Sequence, residues 1–146
     1  MKKVFFIALC ACIPLLLFCG CQTVQTEPAP AADRTVTFVN SVADADVWIL
    51  PETEQNLKTT VWGTATAADV KTGESRQVPL TTPGGDGFYM FRMIDTEHFY
   101  YSANDITLEE GWTLEIRGND LSSITLEISD GNGTLLQICE VFAARL

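Results

Sequence analysis

The chain has 146 residues, with 19 acidic and nine basic side chains, one histidine and five cysteines. Its net charge of −10 argues against nucleic acid, whose phosphates call for a basic stripe, and against charge-driven docking on anionic headgroups. The 113 residues from Arg34 onward are enough for one domain with one core.

In chain order, Met1-Lys2-Lys3 comes first and VFFIALCACIPLLLFCG follows. A short cationic start, an apolar run and then small residues is the order of a secretory signal peptide. The run from Val4 to Phe18 has 15 residues and contains Pro14, whereas a spanning helix wants about 20 apolar residues. The pattern predicts a cleaved export signal over residues 1–20. Without it, seven basic side chains stand against 19 acidic ones, a net charge of −12. Cys10, Cys12, Cys19 and Cys21 lie in or at the end of this segment, which leaves Cys139 as the body's one thiol. No internal disulfide framework is therefore expected. Cys139, in the apolar run TLLQICEVF, reads as a small buried hydrophobe.

Residues 22–33, QTVQTEPAPAAD, carry no aromatic residue and no apolar periodicity, and they include Pro28 and Pro30. With Cys21 they read as an extended tether over residues 21–33. The stretch LLLFCGC before this tether resembles the lipobox of bacterial lipoproteins. In that family a small residue precedes a cysteine that receives a diacylglycerol thioether; the signal is cut before this cysteine, and its new amine is often acylated. The resemblance implies that Gly20 is the small residue, that Cys21 is the lipidated one and that Cys19 leaves with the signal. Lipidation at Cys19 would place the bulky Phe18 before the cut. The chain departs from the commonest pattern at Phe18, where Leu is usual, and at Cys19. The resemblance further implies a membrane partner through the lipid anchor and a place in the bacterial cell envelope. Gln22, rather than Asp, after the cysteine points to the outer membrane by the sorting rule of enteric bacteria.

From Arg34 the periodicity is that of strands. TVTFVN (Thr35 to Asn40) alternates, and ADVWILP (Ala45 to Pro51) is β-rich and stopped by proline. PETEQNLKTT (Pro51 to Thr60) suits one or two helical turns, since proline and acids open it. SRQVPL (Ser75 to Leu80) is a weaker strand, with Pro79 marking an edge or an end. FYMFRMID (Phe88 to Asp95) and HFYYSA (His98 to Ala103) follow, then WTLEIRG (Trp112 to Gly118), SITLEIS (Ser123 to Ser129) and LLQICEVFAA (Leu135 to Ala144). The Gly84-Gly85-Asp86-Gly87 and Asp130-Gly131-Asn132-Gly133 stretches supply turns. Seven or eight short strands predict an all-β, antiparallel β-sandwich, Ig-like or related, over residues 34–146.

Chemistry-bearing patterns are sparse. His98 is the sole histidine; without a GxSxG motif it reads as a structural residue packed among Phe99, Tyr100 and Tyr101. One histidine and one buried thiol do not make a zinc site, and no pair of the 19 acids stands out as a glycosidase pair. Asp44, Asp46 and the Asp130 loop lack the calcium-loop pattern and read as turn chemistry. No catalytic residue, metal ligand or cofactor is predicted. The aromatics remain. Phe88, Met90 and Arg92 alternate with Tyr89, Phe91 and Met93, and Tyr100 opposes Phe99 and Tyr101. In a two-layer sandwich only one side of a strand faces the core, so Tyr89, Phe91 and Tyr100 form a candidate exposed binding patch for protein, peptide or sugar.

Asn40, Trp48, Pro51, Trp62-Gly63, Gly73 to Val78, Phe88 to Asp95 and Ile106 to Leu108 together resemble small exported bacterial β-sandwich domains, some of which occur as uncharacterised single-domain lipoproteins. That resemblance implies a fold and no activity. The function expected is a membrane-anchored envelope lipoprotein with a non-enzymatic binding or assembly module and a protein or glycan partner. Two other readings stay open: an envelope enzyme or accessory subunit using acidic loop residues, and a carbohydrate- or peptide-binding adhesin using exposed aromatics.

Overall fold

The computed structural model describes residues 34–83 and 87–146; the signal segment 1–20, Cys21, the tether to residue 33 and the tip of the glycine turn at 84–86 lie outside the described residues. Among the described residues, ten strands and one short helix form a two-sheet sandwich. The first sheet has the order β4 (Ser75–Pro79), β1 (Thr35–Asn40), β7 (Thr113–Arg117), β8 (Thr125–Ser129), β9 (Leu135–Glu140). The second runs β10 (Phe142–Arg145), β6 (Phe99–Ile106), β5 (Tyr89–Asp95), β2 (Ala45–Pro51), β3 (Ala67–Val70). All pairings are antiparallel except β1 with β7, which is parallel.

The alternation seen in the sequence becomes the core. Val36 and Phe38 of β1, Leu114 and Ile116 of β7, and Leu126 and Ile128 of β8 all point inward and are buried. Val47 and Ile49 of β2 and Tyr89, Phe91 and Met93 of β5 meet them from the other sheet. Phe38 and Phe91 touch across the interface, with ring centroids 5.8 Å apart and planes tilted by 36°, a favoured aromatic geometry.

The candidate patch of Tyr89, Phe91 and Tyr100 is corrected here. Tyr89 and Phe91 have no exposed surface. They lie on the inner face, and the Tyr89 hydroxyl donates to the carbonyl of Thr81 at 2.9 Å. The opposite side of β5 is covered too: Met90 and Arg92 are also buried. The assumption that only one side of this strand could be core fails because the β2–β3 connection folds over the outer face of the second sheet. It carries α1 (Glu54–Lys58), capped by the Thr53 hydroxyl, which accepts from the Asn56 amide. It also carries Trp62, which packs on Trp48 and Tyr100.

Other boundaries shift for local reasons. The run Leu135 to Ala144 is two strands, because at Val141 the chain passes from the edge of one sheet to the edge of the other. The short β3, Ala-Ala-Asp-Val, shows no alternation in its sequence and is placed by pairing with β2. His98 precedes β6 in an exposed turn with φ +65° rather than packing among the aromatics. Pro79 ends an edge strand, as its missing N–H requires.

Asn40, fully buried at the end of β1, is a polar clip between sheets. Its Nδ2 donates to the carbonyls of Ala43 (2.7 Å) and Val70 (3.0 Å), and its Oδ1 accepts from the Val42 amide. Phe38→Ala is expected to lower unfolding stability by about 3–5 kcal/mol, as for other buried aromatic truncations; urea denaturation followed by circular dichroism checks this.

Candidate functional site

Among the described residues, two of the concave regions bear on the readings above. The larger, about 580 Å³, opens at the end of the sandwich between the β1–β2, β3–β4, β5–β6 and β7–β8 connections. It is rimmed by Asp44, Asp95, Glu97 and Asp120. These are the acidic loop residues on which an enzymatic reading would rest, but most of their oxygens already serve the loops. Asp95, buried at the end of β5, accepts from the amides of Glu97 (2.9 Å) and Phe99 (2.8 Å) and from the Tyr101 hydroxyl (2.7 Å). Asp44 accepts from the amide and hydroxyl of Thr72 and lies 3.4 Å from the Lys71 ammonium. The Thr72 amide holds its carboxyl below the usual carboxylate range. Asp120 accepts from the hydroxyl and amide of Ser122, which lower its proton affinity in the same way. A general acid needs the opposite shift.

Asp46 accepts from the Asp69 amide, and Asp130 accepts from the amides of Asn132 and Thr134. Asp130 acts as turn chemistry, whereas Asp46 lies within β2 and bonds across to β3 rather than closing a turn. Among the described residues no group of three or more His, Cys, Asp or Glu side chains is placed to hold a metal ion. Cys139 is half-buried, and burial pushes its thiol up, away from the reactive thiolate.

The second region lies on the outer face of the second sheet. Here Tyr100, the one member of the predicted patch on this side, is half-buried under Trp62; the rings are parallel within 9° with centroids 5.8 Å apart. Trp48 lies 5.9 Å from Trp62 and donates its indole N–H to the Gly63 carbonyl. The Trp62 indole N–H is buried with no acceptor. Beside this stack a cavity of about 330 Å³ is walled by Leu57, Trp62, Ile94 and Tyr100, with Arg92 in its lining and Lys58 at its margin. Phe142, on the same face in register with Ser102, is 63% exposed.

Arg92 is the unexpected member. It is 6% exposed. Its Nη1 donates to the carbonyls of Phe91 (2.7 Å) and Ala103 (3.0 Å), next to the irregularity where β5 and β6 shift register. It takes part in none of the ion pairs among the described residues. Burial weakens its hold on the proton, and Tyr100 and Glu52 partly offset this. The available signal was an arginine inside the apolar run FYMFRMID, where a charge needs a structural or a binding reason.

Comparison with protein-family profiles, with curated proteins and with solved structures gives no match for this chain.

Tyr101 loses its proton well above the ordinary tyrosine value of 10.0, because of burial first and then its bond to Asp95; burial raises Tyr89 as well. The folded state therefore keeps protons that the unfolded chain releases, so stability is intact below pH 10 and falls as pH rises beyond it. Denaturant midpoints between pH 8 and 12 should show that fall, and in Tyr101→Phe it should be shallower while the neutral-pH midpoint is lower.

Proposed function

We propose that the chain is an envelope lipoprotein, anchored through Cys21 in the outer membrane, whose β-sandwich is a non-enzymatic binding module. The observation that carries the binding half is the outer-face cavity. An aromatic stack, apolar walls and a buried cation converge there, as in ligand pockets elsewhere. The acidic end of the sandwich argues against a general-acid role for Asp44 and Asp120, since bonds from their own loops favour the charged carboxylates.

The anchoring half rests on the residues around Cys21. A short apolar run ending in Gly20-Cys21 is followed by twelve polar or small residues, and β1 begins at Thr35. At ~3.1 Å per residue such a tether spans a few nanometres when extended. One acyl chain binds a membrane marginally at ~0.8 kcal/mol per methylene, whereas two or three hold a domain stably.

Cells expressing the chain should incorporate labelled palmitate into the wild type and Cys19→Ala and not into Cys21→Ala. Label that persists in Cys21→Ala would overturn the anchor assignment.

A further inference from the structure

We infer that the outer-face cavity binds a small monocarboxylate carried on an apolar body, with Arg92 receiving the carboxylate and the Trp62–Tyr100 stack receiving the apolar part. The inference rests on the binding-module reading and names the ligand class of that same site.

The cation comes first. A buried guanidinium is costly unless something balances its charge. Among the described residues no carboxylate lies within 4.0 Å of Arg92. Its nearest acid by influence, Glu52, accepts from the Asp105 amide at 2.7 Å. Arg92 also ties down two backbone carbonyls through Nη1, but a neutral donor such as glutamine could do that without burying a charge. The two carbonyls occupy Nη1, and the Tyr100 side chain stands beside the guanidinium and favours its charged form; the rest of the planar fork matches a carboxylate.

Charge count and shape narrow the ligand. Lys58, at the cavity margin, is already paired with Glu54. Arg92 is thus the cation of the lining that makes no ion pair among the described residues, its charge partly offset by Glu52 and Tyr100, which suits a monoanion and disfavours a dianion such as a phosphate monoester. Leu57, Ile94 and the Trp62–Tyr100 stack make the walls largely apolar. The volume of about 330 Å³ lies at the small end of ligand pockets, ~300–1,000 Å³.

The test titrates the full chain, held in non-ionic detergent, with 3-phenylpropionate and with its neutral isostere 3-phenylpropionamide. Tryptophan fluorescence and calorimetry are read against a micelle blank. Saturable binding of the acid, at least tenfold tighter than the amide, is expected. Arg92→Gln, which keeps a donor for the two carbonyls, should weaken acid binding at least tenfold and so remove the preference for the acid over the amide; Arg92→Lys should retain part of the preference. Equal binding of acid and amide would overturn the carboxylate assignment and leave a binding module in place. No saturable signal from either probe would overturn the cavity as the site, while the anchor assignment stands or falls separately on palmitate labelling. Should Arg92→Gln fail to fold, the acid–amide comparison on the wild type decides alone.

Discussion

β5 is buried on both sides, and the rest of the sandwich is arranged to make that possible. Its inner face, Tyr89, Phe91 and Met93, is met by the first sheet through Phe38. Its outer face, Met90 and Arg92, has no second sheet to meet. The chain between β2 and β3 supplies the cover instead, by folding α1 and Trp62 over it. A loop that covers a sheet must satisfy its own backbone groups. The Thr53 cap, the Asn56 bond to the Pro51 carbonyl and the Trp48 bond to Gly63 do so. The candidate site follows from this arrangement, because a loop packs less completely on a sheet than a second sheet does, and the gap it leaves is the cavity beside Arg92.

The C-terminal end of β5 is fixed by side-chain hydrogen bonds. At Asp95 one carboxylate gathers two amides and the Tyr101 hydroxyl, closing the turn into β6 and setting His98 in its left-handed conformation. Asn40 does comparable work nearby, joining β1 of one sheet to Val70 of the other. Two buried polar side chains thus hold one end of the sandwich with nearly all their bonding capacity used. This explains why the larger cavity, although ringed by acids, is built as a structural corner.

The alternating strands were legible in the sequence: β1 and β2 match their predicted limits residue for residue, and β7 and β8 fall within theirs. The two-layer architecture follows from that alternation, which each of these strands shares. What alternation cannot convey is cover from outside the sandwich. Tyr89, Met90, Phe91 and Arg92 are apolar or large on both sides of the strand, and local pattern alone does not say whether the second side meets solvent, a partner or the chain's own loop. By pattern alone, therefore, Tyr89 and Phe91 read as part of an exposed patch. Only Tyr100 lies on the outer face, because it projects from β6 on the side that Trp62 covers. β3 was invisible for a related reason: four residues without alternation are held in place by long-range pairing.

Arg92 then separates two views of the covered face. If the β2–β3 loop served only to bury apolar surface, the favoured residue at position 92 would be apolar, since replacing buried charge with well-packed hydrophobic side chains is often neutral or stabilising. The chain instead keeps a guanidinium under an aromatic stack, in a protein whose acids outnumber its bases by ten. Those acids form no ion pair with it among the described residues: Glu52 offsets its charge only from a distance, Glu54 is paired with Lys58, and the Asp44–Asp120 group lies around the cavity at the loop end. A buried charge without an ion pair, only partly offset by Glu52 and Tyr100, in a cavity large enough for a ligand suits something that enters from outside.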